Sequence, residues 1–121
     1  MSRILVVDDE PDIRMLVRIT LDGEGYDVVE ASNGEEALEE IERHEPDLVF
    51  LDLRMPGIDG WGVLDQLSAT GGLERIPVVV VSAHASHGSS QRALSLGCRG
   101  YISKPFDPDE LLETAERLLS S

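Results

Sequence analysis

Several features are scarce in this sequence, and each scarcity argues against a class of protein. Cys98 is the single cysteine in 121 residues, so the chain cannot form an internal disulfide and fits a reducing, cytoplasmic compartment. Basic residues number 10 against 24 acidic ones, and the formal net charge of -14 argues against direct binding to DNA or RNA. No apolar run approaches the roughly 20 residues of a membrane helix, and no signal peptide is visible.

The hydrophobic content is nevertheless high enough for a folded core. Hydrophobic residues make up 41% of the chain, which argues against global disorder. We interpret most of the acidic excess as solvated helix surface, as at Glu39 and Glu42. The length suits one compact domain, and no repeat, linker or low-complexity tract interrupts it. We therefore expect residues 1–121 to form a single domain.

Short apolar runs alternate with amphipathic stretches along the whole chain. This alternation is typical of βα units around a parallel sheet. The first, third and fourth runs are almost continuous in Ile, Leu and Val, as expected for strands covered on both faces. The strands are predicted at residues 4–7, 26–31, 47–53, 76–82 and 100–103.

Helix signals follow each predicted strand, so the expected order is (βα)5. Pro11 suits the first turn of a helix, and Asn33 followed by Glu36 predicts a capping box. Asp107 is an expected N-cap residue before Pro108. The fourth helix, after Gly88, has the weakest pattern.

Polar residues stand at the ends of four predicted strands. The carboxyl ends of parallel strands meet at one edge of an open sheet, where ligands bind. Three or more carboxylates brought together there would repel one another, and a hard divalent cation such as Mg²⁺ would relieve that repulsion. The strand-end residues are Asp8, Asp9 and Glu10, then Asp52, then Ser82, and finally Lys104.

These groups match the chemistry of phosphoryl transfer. An ionised Asp52 oxygen can attack phosphorus to form an acyl phosphate. Lys104 and a metal ion would neutralise the charge on the phosphoryl oxygens, and Ser82 can donate a hydrogen bond to one of them. Ala83 is small and leaves access to phosphorus open.

Five segments of the chain resemble the receiver domains of two-component response regulators. The resemblance covers essentially the whole chain and implies a flavodoxin-like α/β fold, a doubly wound five-stranded parallel sheet of order 2-1-3-4-5. The matching segments are VVDDE at 6–10, ASNG at 31–34, DLRMPGIDG at 52–60, SA at 82–83 and GYISKPF at 100–106.

The resemblance implies roles for the residues around the acidic pocket. Asp52 resembles the phosphoacceptor, and Lys104 the lysine that bridges to the phosphoryl group. Asp9 resembles a direct ligand of Mg²⁺, or of Mn²⁺ as an alternative, with Asp8 helping directly or through water. Asp52 and the main-chain carbonyl of Arg54 would complete the protein ligands.

The resemblance also implies a switch. Ser82 resembles the hydroxyl that moves toward the phosphoryl group, and Tyr101 the aromatic residue that then turns inward, although Tyr101 could instead be an exposed strand aromatic. The surface of the fourth helix, fifth strand and fifth helix would change shape, and a phosphorylation-dependent homodimer could form through it. The peptide bond before Pro105 is expected to be cis, and the phosphodonor to be a sensor histidine kinase or a phosphotransfer protein.

Other residues have more than one interpretation. Arg54 and His84 stand two residues after Asp52 and Ser82, where they would tune the lifetime of the phosphoryl group or simply face solvent. A metal pair formed by His84 and His87 is disfavoured, because two histidines in a loop make a poor site. Cys98 is expected to serve packing rather than redox sensing, and Trp61 packing rather than ligand binding.

Two other functions use a similar set of residues. A phosphohydrolase of the haloacid dehalogenase type also has a strand-end aspartate, magnesium, a hydroxyl and a lysine. That enzyme expects a second aspartate two residues after the nucleophile, where this chain has Arg54. A degenerate receiver that acts only as an interaction module is the other alternative, and the intact pocket residues argue against it. The effector or output domain is not revealed.

Overall fold

A computed structural model describes residues 2–83 and 87–119. Five parallel strands form one sheet in the order β2-β1-β3-β4-β5, which confirms the predicted order. The prediction for the third strand was too long, because Asp52 lies beyond the strand end, although its N–H still bonds the carbonyl of Val7 at 2.9 Å. The strands are β1 (Arg3–Val7), β2 (Asp27–Ala31), β3 (Leu48–Leu51), β4 (Val78–Ser82) and β5 (Gly100–Ser103).

Five main helices connect or follow the strands, as the sequence predicts. One further helical turn, Gly72–Arg75, lies before β4 and was not predicted, because four residues are too few to show a helical period. It follows Gly71, whose φ of 76° favours glycine. The main helices are α1 (Pro11–Asp22), α2 (Gly34–His44), α3 (Gly60–Ala69), α4 (His87–Leu96) and α5 (Pro108–Leu119).

The helix starts follow the predicted local chemistry with one difference. Asn33 Oδ1 accepts a hydrogen bond from the N–H of Glu36 at 2.8 Å, the first half of a capping box. The Glu36 carboxylate does not return to Asn33 but accepts from the N–H of Ser32 at 2.7 Å. Asp107 Oδ1 accepts from the N–H of Asp109 at 2.9 Å, as expected of an N-cap residue.

Both faces of the sheet are buried. Successive β1 residues alternate between the two cores, so Leu5 packs on one side and Ile4 on the other. Helices α2, α3 and α4 supply one core, while α1 and α5 supply the second. This arrangement leaves the carboxyl ends of the central strands as the edge at which polar side chains gather. Within the described residues, no helix combines the length and apolar character needed to cross a bilayer.

Candidate functional site

The predicted strand-end residues lie at the carboxyl edge of the sheet. Asp8 directly follows β1, Asp52 follows β3, and Lys104 follows β5. The register aligns the strand ends, because Val7 pairs with Leu51 across β1 and β3. Asp8, Asp52 and Lys104, which are far apart in sequence, are thereby brought to one place.

Three of these side chains form a buried charged cluster. The Nζ atom of Lys104 lies 2.7 Å from Asp8 Oδ2 and 3.5 Å from Asp52 Oδ2. Glu10 Oε1 lies at 4.0 Å from the same nitrogen. Asp8 and Asp52 are only 2% and 5% exposed, so water screens these charges poorly.

The buried cluster holds two carboxylates and only one ammonium group, so its charges are not balanced. Burial, followed by the negative charge of Asp8, raises the pKa of Asp52, and Lys104 and the N–H of Arg54 at 3.3 Å offset this only in part. Burial alone would lower the pKa of Lys104. The hydrogen bond to Asp8 and the nearby acidic charges outweigh burial, so the pKa of Lys104 is raised and its side chain stays cationic.

The acids after β1 offer a suitable donor set for a hard cation. Carboxylate oxygens of Asp8, Asp9 and Glu10 all lie within 4.8 Å of one another, with Asp8 buried and the other two exposed. Oxygen ligands of this kind suit Mg²⁺, which also keeps several waters. Sequence reasoning gave Glu10 no role, although the motif DDE contained the signal.

The loop between β3 and α3 is held by close packing against α2. A side chain at Gly34 would collide with the main chain of Ile58, and one at Gly60 with the carbonyl of Asp52. Glu35 Oε1 accepts a hydrogen bond from the N–H of Ile58 at 2.9 Å. Sequence reasoning missed this support, because Glu35 resembles any other acid on a solvated helix face.

Ser82 is the last residue of β4 and lines a cleft at the carboxyl edge of the sheet. Ser82 is fully buried, and its carbonyl accepts from the N–H of Lys104 at 2.9 Å. A cleft of about 280 Å³ is lined by Leu53, Arg54, Asp59, Trp61, Ser82 and Ser89. The structure therefore brings Arg54 and Ser82 to the lining of one cleft.

Tyr101 and Trp61 are both engaged in packing. Tyr101 is half-buried against the core of α2, α3 and α4 and is not a freely exposed strand aromatic. Trp61 is also half-buried, and the guanidinium carbon of Arg92 lies 4.1 Å from its ring centroid. This cation–π contact ties α3 to α4, and sequence reasoning missed Arg92.

The remaining sequence predictions have mixed outcomes. The Lys104–Pro105 peptide bond is cis, as the resemblance implies. Cys98 is buried, and burial raises the pKa of its thiol to about 11, as a packing role requires. His84 lies outside the described residues, so its tuning role stays a prediction, and the disfavoured metal pair with His87 is not tested.

Residues 4–116 match the family model of the response regulator receiver domain. Sporulation initiation phosphotransferase F of Bacillus subtilis (strain 168) is 35% identical over 118 residues, which cover 98% of this chain and 94% of that protein. A probable transcriptional regulator, ycf27, of Porphyridium aerugineum is 42% identical over 110 residues, or 91% of this chain and 45% of that protein. The chain thus spans about half the length of several of the curated relatives it matches.

Solved structures show the same fold at similar identity. The receiver domain of NtrX from Brucella abortus superposes with a TM-score of 0.87 at 40% identity, covering 96% of this chain and 97% of that one. The Vibrio cholerae chemotaxis protein CheY4 superposes with a TM-score of 0.89 at 31% identity, covering 98% and 99%.

Proposed function

The chain belongs to the receiver domains of two-component response regulators, and from this premise we propose that it accepts a phosphoryl group on Asp52. The observation that carries the proposal is the meeting of Asp52 with Lys104 and Asp8 at one buried edge. Lys104 Nζ lies closer to Asp8 than to Asp52, so the Asp52 oxygen is the more loosely held of the two. A loosely held carboxylate is available as a nucleophile.

The transfer would proceed from a phosphohistidine on a partner protein. An Asp52 oxygen forms the new bond to phosphorus while the phosphorus–nitrogen bond of the donor breaks. The departing imidazole keeps the electron pair and takes a proton from solvent. Lys104 neutralises charge on the phosphoryl oxygens, which is the main way proteins accelerate such transfers.

A divalent cation would supply the remaining positive charge to the phosphoryl oxygens. The donor set favours Mg²⁺, with Mn²⁺ as an alternative, because all the ligands on offer are oxygens. The proposed ligands are the carboxylates of Asp8, Asp9 and Asp52 and the main-chain carbonyl of Arg54.

The output would be a change in the surface formed by α4, β5 and α5. Ser82 would donate to a phosphoryl oxygen, and Tyr101 would turn into the space that Ser82 leaves. Support comes from the burial of Ser82 at the end of β4 and from the half-buried position of Tyr101 on β5. Phosphorylation shifts the population only through contacts that differ between the two states.

The proposed partners are a sensor histidine kinase or a phosphotransfer protein, and a second copy of the chain bound through the same surface. We take residues 1–121 as one receiver domain that acts in the cytoplasm. Its chemistry would be limited to the phosphorylation and dephosphorylation of its own Asp52, with no separate substrate. A phosphohydrolase of the haloacid dehalogenase type is disfavoured, because Arg54 stands where that enzyme needs its second aspartate.

The test is labelling with acetyl phosphate and Mg²⁺, followed by intact-mass spectrometry. We expect one phosphoryl group per chain, none with Asp52→Asn, and none when EDTA replaces Mg²⁺. Asp65→Asn is the matched control, because Asp65 is exposed on α3 and should not alter labelling. A label that persists in Asp52→Asn would contradict the assignment. Absence of any label would favour an interaction module, and repeated turnover of phosphate esters would favour a hydrolase.

A further inference from the structure

Arg14, on the first turns of α1, contacts the main chain of the acidic pocket. Its Nη1 atom donates a hydrogen bond to the main-chain carbonyl of Asp8. The Arg14 side chain is only 16% exposed, so this contact competes little with water. No sequence motif singled Arg14 out, because one arginine on an amphipathic helix has no distinguishing pattern.

The Arg14 guanidinium is itself fixed by an ion pair with β2. Arg14 Nε donates to Glu30 Oε1 at 3.0 Å, and Arg18 Nε donates to the other carboxylate oxygen at 2.7 Å. Burial alone would raise the pKa of Glu30, but the hydrogen bonds and charges of the two arginines outweigh it and lower that pKa. Glu30 therefore stays ionised and holds Arg14 in one orientation.

The carbonyl that Arg14 holds belongs to the peptide linking Asp8 to Asp9. The Asp8 side chain has its own anchors, since Oδ2 meets Lys104 and Oδ1 accepts from the N–H of Glu10 at 2.9 Å. The N–H of Asp8 donates to Ala31 at 3.1 Å. Asp9 is exposed, and the peptide plane that carries it is oriented from the carbonyl side by Arg14.

We propose that Arg14 is a positioning residue that, braced by Glu30, orients the Asp8–Asp9 peptide so that the Asp9 carboxylate is preset for a divalent cation. This inference rests on the metal site of the proposed function and adds a residue to it. The partners that orient metal ligands commonly influence metal affinity by tenfold or more.

Arg18 offers a closely matched control on the same helix. Arg18 lies one turn from Arg14, pairs with the same Glu30, and donates to a main-chain carbonyl, that of Val28 at 3.1 Å. Arg14→Gln and Arg18→Gln remove the same charge, so each makes the chain more acidic by one unit. The change in charge alone predicts tighter Mg²⁺ binding for both variants. The positioning role instead predicts weaker Mg²⁺ binding for Arg14→Gln and no weakening for Arg18→Gln.

The experiment titrates Mg²⁺ alone into the full chain and its variants by isothermal titration calorimetry at fixed ionic strength. We expect Arg14→Gln to weaken Mg²⁺ binding by roughly tenfold, and Arg18→Gln to leave the affinity unchanged or slightly tighter. Urea unfolding without Mg²⁺ checks that the variants are folded. Should Arg14→Gln not fold, Arg14→Lys beside Arg18→Lys tests the same role at unchanged charge, because a lysine lacks the fork that reaches both Glu30 and the carbonyl. We then expect weaker Mg²⁺ binding for Arg14→Lys alone.

Two outcomes would contradict the positioning role of Arg14, and only one of them would also contradict the proposed metal site. Wild-type chain that binds Mg²⁺ while Arg14→Gln binds equally well or tighter would remove Arg14 alone and leave the proposed function standing. Wild-type chain that does not bind Mg²⁺ would remove the metal site of the proposed function and this inference with it.

Discussion

Charged side chains at the amino edge of the sheet, where the strands begin, are exposed to solvent, whereas the charged cluster around Lys104 at the carboxyl edge is largely buried. At the amino edge, Arg3 Nε donates to Asp27 Oδ2 at 3.0 Å, and the N–H of Arg3 donates to Asp47 at 2.8 Å. The side chains of Arg3 and Asp27 are 40% and 47% exposed. At the carboxyl edge, Lys104 faces both Asp8 and Asp52 in surroundings that are almost closed to water.

The difference teaches which edge serves stability and which serves chemistry. Exposed pairs such as that of Arg3 cost little to form and contribute little. Burying two carboxylates against one ammonium leaves net negative charge in a poorly solvated place, which weakens the fold. We attribute that cost to a functional site that binds added positive charge.

The largest expected effect tests Lys104, the cation that pairs with the carboxylates of both buried acids among the described residues. Lys104→Met leaves Asp8 and Asp52 without a counter-charge, and we expect the free energy of unfolding to fall by about 3 kcal/mol without divalent cations. Urea denaturation at neutral pH measures this. Adding Mg²⁺ should recover part of the loss, since binding to the folded state alone stabilises it. An unchanged stability would mean that the cluster is not electrostatically strained.

The second effect has the opposite sign. Asp52→Asn removes the buried carboxylate whose pKa is raised, so we expect the free energy of unfolding without Mg²⁺ to rise by on the order of 1 kcal/mol. The folded chain holds the Asp52 proton to higher pH than the unfolded chain does. Ionised Asp52 therefore costs stability above the folded-state pKa, and the cost disappears as the pH falls toward the ordinary value.

Denaturant melts of both proteins over a range of pH would measure this difference. The advantage of Asp52→Asn should be full at neutral pH and should shrink on acidification. Asp47→Asn is the control from the amino edge, where the carboxylate accepts from Arg3 in solvent, and it should lose a few tenths of a kcal/mol rather than gain. A destabilised Asp52→Asn would remove the contrast between the two edges.

Sequence reasoning reached the site because its members stand at strand ends. Periodicity located each strand, and parallel topology then brought Asp52 and Lys104 together without any side-chain information. It could not reach Arg14 or Glu35, because each acts through a hydrogen bond to a main-chain group, or Glu30, because it acts through ion pairs with two arginines. No sequence spacing encodes which group these side chains meet. The helical turn Gly72–Arg75 was missed for a related reason, since tertiary packing rather than pattern stabilises so short an element.

A smaller effect tests whether a hydrogen bond to the main chain also supports the loop at the carboxyl edge. Glu35→Ala removes the acceptor for the N–H of Ile58 in the loop after Asp52. That contact is exposed and water can replace it, so we expect a loss of about 0.5 kcal/mol in unfolding free energy. Glu39→Ala, on the exposed face of the same helix, is the control and should change stability less. Equal effects for the two variants would assign the loss to α2 and not to the loop.

The smallest effect is expected at the amino edge. Arg3→Gln breaks the exposed pair with Asp27 but keeps the main-chain N–H that Asp47 accepts from, so the free energy of unfolding should fall by less than about 0.5 kcal/mol. Most of that loss should vanish at high salt, because salt screens exposed charges far better than buried ones. Urea melts at low and high salt would measure both effects beside Lys104→Met, whose loss should persist. A loss for Arg3→Gln as large as that for Lys104→Met would mean that burial does not make the charged pairs of the two edges differ in strength. Only the set of oxygen ligands would then support a functional role for the carboxyl edge.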